Sequence, residues 1–403
     1  MKKVLHIGLI MRYGREWIGG TEYIKNIVLA LASLPKETRS KFKVSLICGE
    51  LVDPAYYNAV VPHLHEVYRL NLEKMLESRD RLETQLGYFQ RGAASLLHFR
   101  KYQSFNAFLK TAKVDFVYPY SESHKISCRH ASWIYDFQHK YLSHLFSKDE
   151  IEKRDKVFLR AARGDSTVVF SSQNAASDFS KFFPEATSKG EVLPFRVHPE
   201  QSWYGEDPMK VQKEYSLPDR FFLISNQFWT HKNHLVVFEA LKLLQEHAIF
   251  PVVVCTGSLY DYRQPDYSDT LLQTIHKLGV ARQVYLLGLI PRADQIQLLR
   301  RALAVIQPSL FEGWNTVVEE CRCLAKPMIL SDLAVHREQN PPGSIFFPAN
   351  SPEALKGILG EWWDRLAPGP DLDQEPAARA KALEEVSAFG YRFLEIVRGE
   401  CDR

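Results

Sequence analysis

Two carboxylates eight positions apart, Glu312 and Glu320, flank a turn in Ser309-Leu-Phe-Glu-Gly-Trp-Asn-Thr-Val-Val-Glu-Glu320. An apolar run, Ala302–Ile306, leads in and reads as a buried strand. Pro308 and Gly313 break the pattern, and apolar positions at helical spacing then run from Val317 to Leu324. Pro327 ends that helix ahead of a second short strand, Met328-Ile-Leu330. A loop entering a helix presents unpaired N–H groups and the positive end of the helix dipole, which suits a phosphate. Asn315, Thr316 and Val317 are placed to supply those N–H groups. Glu312 and Glu320 cannot also touch phosphate, because like charges repel; they are better placed to accept hydrogen bonds from sugar hydroxyls. The plainer reading is a helix-start Glu and a solvated Glu.

Three more stretches could do related chemistry. Lys232, with His231 before it, sits at a helix entry in Ser225-Asn-Gln-Phe-Trp-Thr-His-Lys-Asn-His234, where a cation adds to the helix N-terminal field and suits a diphosphate. A basic helix cap is the alternative. Gly19-Gly20 precedes a helix expected over Glu22–Leu34; it is either a tight turn or a place where backbone approaches a phosphate closely. Asp136-Phe-Gln-His139 follows the end of a strand at Trp133-Ile-Tyr135, on the edge where open α/β sheets bind ligands. His139 there either faces a ligand or packs among aromatics.

The elements that must hold these residues alternate strand and helix along the chain. Strands are expected at Val4–Ile10, Lys43–Cys48, Val114–Tyr118, Thr167–Phe170, Phe221–Ile224, Val252–Gly257 and Val284–Pro291. Helices are expected at Leu235–Glu246, Ala293–Arg300 and Tyr391–Val397, with further helical patterns at Ala93–Phe99 and Phe105–Leu109. Prolines 194, 199, 208 and 218 among polar residues mark a connector between halves. The fold class is therefore α/β, with two Rossmann-like doubly wound domains and a nucleotide or phosphorylated ligand as the expected occupant. Expected bounds are 1–197, 198–385 and a returning C-terminal helix over 386–403. Gly14-x4-Gly19 is not the Gly-x-Gly-x-x-Gly dinucleotide fingerprint, which disfavours a dehydrogenase.

The stretch from Ser309 to Leu330 resembles the Glu-x7-Glu signature of retaining glycosyltransferases of family 4, matching it at Ser309, Glu312, Gly313, Glu320, Pro327 and Ile329. It departs at Cys321, where Ala is usual, and at Ala325, where Gly is usual; both replacements are small. A bacterial subset of that family is similar at Asp136-Phe-Gln-His139, Phe146-Ser147, Arg154-Asp155 and Asn226-Gln-Phe-Trp-x-His-Lys232. The resemblance implies a GT-B fold, with an acceptor-side first domain and a donor-side second domain. It implies transfer of a sugar, with retention, from a GDP- or UDP-sugar to a hydroxyl of a glycan or lipid-linked glycan. By the same resemblance, Glu312 and His139 face the donor sugar and Glu320 holds the ribose. The backbone at Leu289 and Ile290 holds the base, and Gly19-Gly20 lies near the phosphates. The family usually carries an Arg where Asn226 and Gln227 stand, a departure that shifts load onto Lys232 and His231. Competing readings are a nucleotide-sugar epimerase of the same architecture and a non-catalytic nucleotide- or glycan-binding module.

Composition bounds the rest. The 403 residues suit two domains, and a net charge of +3 argues against nucleic acid as a partner. No apolar run reaches the roughly 20 residues that span a bilayer. Six scattered cysteines favour free thiols in the cytoplasm. Cys321-x-Cys323 is read as packing and Asp371-x-Asp373 as a solvated loop, so no metal and no cofactor are expected. Positions 69–113 hold nine Lys or Arg against four Asp or Glu. That excess is either a solvated helical face or a peripheral contact with an anionic inner membrane face.

Overall fold

The computed structural model describes residues 3–12, 14, 17–77, 104–121 and 126–402; the helical pattern at Ala93–Phe99 and much of the basic 69–113 stretch lie outside them. The chain divides into two compact units. The first comprises residues 1–135, 152–198 and 385–403, and the second 136–151 and 199–384. The segment 136–151 therefore groups with the second unit although its chain neighbours on both sides belong to the first.

The first unit is built on a seven-stranded parallel sheet. Its strands are β1 Leu5–Met11, β2 Phe42–Gly49, β3 Glu66–Leu70, β4 Phe116–Tyr118, β5 Arg129–Ile134, β6 Thr167–Phe170 and β7 Gly190–Val192. The order is β3-β2-β1-β4-β5-β6-β7, so it reverses between β1 and β4. Central strands are apolar on both faces, as sheets covered by crossover helices require: every residue of β4 and β6 is buried. Helix α1, Ile18–Ser33, follows β1 and starts four residues earlier than expected, so Gly19 and Gly20 lie in its first turn rather than in the loop before it.

The second unit holds a six-stranded parallel sheet of β8 Phe222–Ser225, β9 Val253–Thr256, β10 Val284–Gly288, β11 Val305–Gln307, β12 Met328–Ser331 and β13 Ser344–Phe347. Its order is β10-β9-β8-β11-β12-β13, reversing between β8 and β11. One apolar core joins Phe222, Ile224, Val253, Cys255, Ile306 and Ile329 to Val237, Leu241 and Leu359 from the flanking helices.

Two stretches are more helical than their sequence patterns suggest. The proline-rich connector contains helices Ser202–Gly205 and Pro208–Glu214. Pro208 sits at the start of the second, where its missing N–H costs nothing, and Asp207 caps it. The helix expected over Tyr391–Val397 is the end of one helix running Glu375–Cys401.

Candidate active site

In open α/β sheets ligands bind beyond the carboxyl ends of strands at the point where strand order reverses. In the second unit that point lies between β8 and β11. The loop after β8, residues 226–233, carries Asn226, Gln227, His231 and Lys232; the loop after β11, residues 308–315, carries Ser309, Glu312 and Asn315. The two loops meet through Lys232 Nζ, 2.6 Å from Glu312 Oε1. The same oxygen accepts from Ser309 Oγ at 2.7 Å and Asn315 Nδ2 at 3.1 Å. Three donors on one carboxylate oxygen fix its direction. The pair is not fully enclosed: the side chains are 13% and 8% exposed, so a ligand can reach both.

Gly257, at φ +142°, allows β9 to end against the 226 loop, since a Cβ there would collide with the Asn226 carbonyl. Asn226 itself is buried, and its Nδ2 has no acceptor among the described residues.

Asn315 caps the helix Thr316–Cys323: its Oδ1 accepts from Val317 N at 3.0 Å and Val318 N at 3.3 Å. The Asn315 amide donates to Gln339 Oε1 at 3.1 Å, while Gln339 Nε2 returns a bond to Asn315 O at 3.0 Å. Two of the three amides expected at a phosphate are thus bonded within the protein. Thr316 N–H alone of the three has no protein acceptor among the described residues.

Glu320 is 1% exposed, not a solvated helix carboxylate. Its Oε1 lies 2.7 Å from Arg292 Nη1, at the start of the helix Arg292–Arg301. Leu289 and Ile290 form the short loop from β10 into that helix, with Leu289 exposed.

His231 is held neutral: burial pushes its pKa well below the ordinary value, and the nearby Lys232 and Arg263 charges push it further the same way. Arg263 Nη2 lies 3.4 Å from His231 Nδ1. A guanidinium only donates, so Nδ1 accepts and Nε2 carries the proton. His139 is fully buried in a short helix, Gln138–Tyr141, with the rings of Phe137 and Phe146 centred 6.3 and 6.5 Å away.

Residues 207–364 match the family described as Glycosyl transferases group 1. The chain carries a glycosyltransferase domain. No curated protein matches the sequence by similarity. Among solved structures, Alr3699/HepE of Anabaena, in complex with UDP and glucose, is 16% identical, covering 98% of this chain and 100% of its own, at a TM-score of 0.64. A glycosyltransferase from Rickettsia africae is 14% identical over 99% of both chains, TM-score 0.64. Sucrose-phosphate synthase of Thermosynechococcus elongatus is 13% identical over 98% of both, TM-score 0.63. At these identities the likeness is one of fold, the GT-B fold of glycosyltransferases.

Within the glycosyltransferase domain, three site residues had no signal in the motifs: Arg292, Gln339 and Arg263. Each reaches the site from a loop or helix remote in sequence. Asp371 and Asp373 are exposed just before the helix Glu375–Cys401, and among the described residues no group of His, Cys, Asp and Glu could hold a metal.

In the first unit the reversal between β1 and β4 is lined differently. Ile10, Met11, Ile24, Pro119 and Trp133 surround a largely apolar pocket with Trp17 and Gly20, and Arg12 and Thr21 complete its lining. Tyr23, Trp133 and Trp17 stack in sequence, with centroids 4.0 and 5.3 Å apart. Gly20 lets Trp17 lie against the helix, since a Cβ there would stand 2.5 Å from the indole. That steric need accounts for Gly20 within its own unit.

Proposed function

We propose that this enzyme is a retaining, family 4 type glycosyltransferase. It moves a sugar from a GDP- or UDP-linked donor to a hydroxyl of a glycan or lipid-linked glycan. The observation that carries the reading is the Lys232–Glu312 pair at the switch point of the second unit, with Glu320 eight residues further on and held by Arg292. Negative charge grows on the diphosphate as the glycosidic bond breaks. A preorganised cation at that place lowers the barrier because it needs no reorganisation during the reaction. Lys232 fills that role, joined by Thr316 N–H and the N-terminal field of its helix. Glu312, oriented by Ser309 and Asn315, accepts from donor-sugar hydroxyls. Glu320 accepts from the ribose, His139 serves the sugar, and the Leu289–Ile290 backbone borders the base. The neighbour bound to UDP-glucose makes a uridine donor a natural first choice. The first unit, with its aromatic switch point, receives the acceptor. No metal is required, since Lys232 and the helix field supply the positive charge. A lipid-linked acceptor would bring the enzyme to the cytoplasmic membrane face.

The test incubates the enzyme with UDP- and GDP-sugars and a panel of free and lipid-linked saccharides, following nucleotide diphosphate release and the anomeric proton coupling of the product. An α-linked donor should yield an α-linked product. A β-linked product contradicts retention, and absence of acceptor-dependent release with every donor contradicts transfer.

A further inference from the structure

The segment 136–151 carries His139 yet is joined by the chain to the first unit at both ends, so something in the second unit must hold it there. One tripeptide, Asp261-Tyr262-Arg263, contacts it at both ends. Arg263 Nη1 donates to Gln138 Oε1 at 3.3 Å, next to His139. The Arg263 guanidinium lies over the Phe146 ring at 5.3 Å and over Trp229 at 4.8 Å. Tyr262 donates to Glu150 Oε1 at 3.0 Å near the far end of the segment. The Tyr141 ring lies 5.7 Å from that of Phe311, the neighbour of Glu312.

Arg263 is built for this. Its side chain is 4% exposed and bonds through Nε to Asp261 Oδ1 at 3.1 Å, with Asp261 itself 1% exposed. A buried, paired guanidinium with planar geometry gives more donors in fixed directions than a lysine could. Its remaining arm reaches His231, the residue before Lys232. One side chain thus touches the segment that carries His139 and the loop that carries Lys232. We infer that Arg263 is a positioning residue for sugar transfer, setting the His139 segment against the Lys232–Glu312 edge. This rests on the transfer reading above; Arg263 need not touch the substrate.

The experiment combines kinetics with amide hydrogen exchange on the full chain. Arg263→Ala should lower kcat by about 10²-fold, the scale of an ångström-sized misplacement. Its affinity for UDP or GDP should stay within about threefold, because positioning alters the chemical step rather than uniform binding. Exchange should quicken across 138–146 and stay unchanged in the helix Thr316–Cys323. Arg263→Lys should recover only part of the rate, and guanidinium ion added to Arg263→Ala should recover some as well. Gln138→Leu keeps the Arg263–Asp261 pair intact and guards against misfolding; it should cost about tenfold in kcat, the loss of one hydrogen bond to a charged group. Unchanged exchange over 138–146 overturns the inference. So does a kcat that falls only in step with nucleotide affinity and with exchange rising throughout the unit. A wild-type enzyme that transfers from no donor would instead contradict the proposed function, since the exchange readout tests positioning without activity.

Discussion

The two units share one architecture and fill the same point of it with different chemistry. Each parallel sheet reverses its strand order once, between β1 and β4 in the first unit and between β8 and β11 in the second. At the first reversal stand Trp17, Trp133 and Tyr23, stacked ring on ring around an apolar pocket. At the second stand Lys232, Glu312, Arg263 and Asp261, all in ion pairs. The shared backbone creates a ligand edge in both, and the side chains decide what each can hold. A diphosphate needs fixed positive charge and N–H donors, and Lys232 with the helix start at Thr316 supplies both at the second edge. An aromatic face takes apolar surface and gives nothing to a phosphate.

Four changes separate the two edges. The largest effect is expected from His139→Ala, with turnover down about 10²–10⁴-fold while nucleotide affinity holds, as for a positioned group acting mainly in the transition state. Turnover within about threefold of wild type, in a folded variant, would make His139 a packing residue. Lys232→Met should lower kcat by about 10²–10³-fold, the loss typical of one preorganised electrostatic partner; kinetics with the natural donor check it, and an unaffected kcat would remove Lys232 from the reaction. Trp17→Ala should raise acceptor KM by about three- to tenfold through lost aromatic contact. Its nucleotide affinity, measured by calorimetry, should not change; a loss there would mean that the first edge also handles the donor. Chelation should have the smallest effect, none on turnover in EDTA, whereas loss restored by manganese would show a metal at the charged edge.

Much of the charged edge was legible because its residues are contiguous. Ser309, Glu312, Asn315 and Glu320 come from one strand–loop–helix, and Lys232 from another, so spacing alone brings them to the sheet edge. Arg263, Arg292 and Gln339 were not legible, since nothing in a sequence says that a loop after β9 will lie against one after β8. Local cues also misled. Gly19 and Gly20 read as a loop because glycine disfavours helices, yet the packing of Trp17 on Gly20 extends the helix over them. The amides of Asn315 and Val317 looked open at a helix start, but the Asn315 side chain and Gln339 take them up. The long last helix showed only its end, where Phe393, Leu394 and Val397 bury an apolar stripe.

The central claim is that the second unit binds the donor nucleotide with Glu320 on its ribose. Calorimetric titration of UDP and of GDP into the wild-type chain and into Glu320→Ala tests it most directly. One of the two nucleotides should bind the wild type, and the variant should lose about 1.5–3 kcal/mol of that affinity, the range for hydrogen bonds to a charged acceptor. Equal affinity in the two proteins, or no binding of either nucleotide to the wild type, would contradict the account.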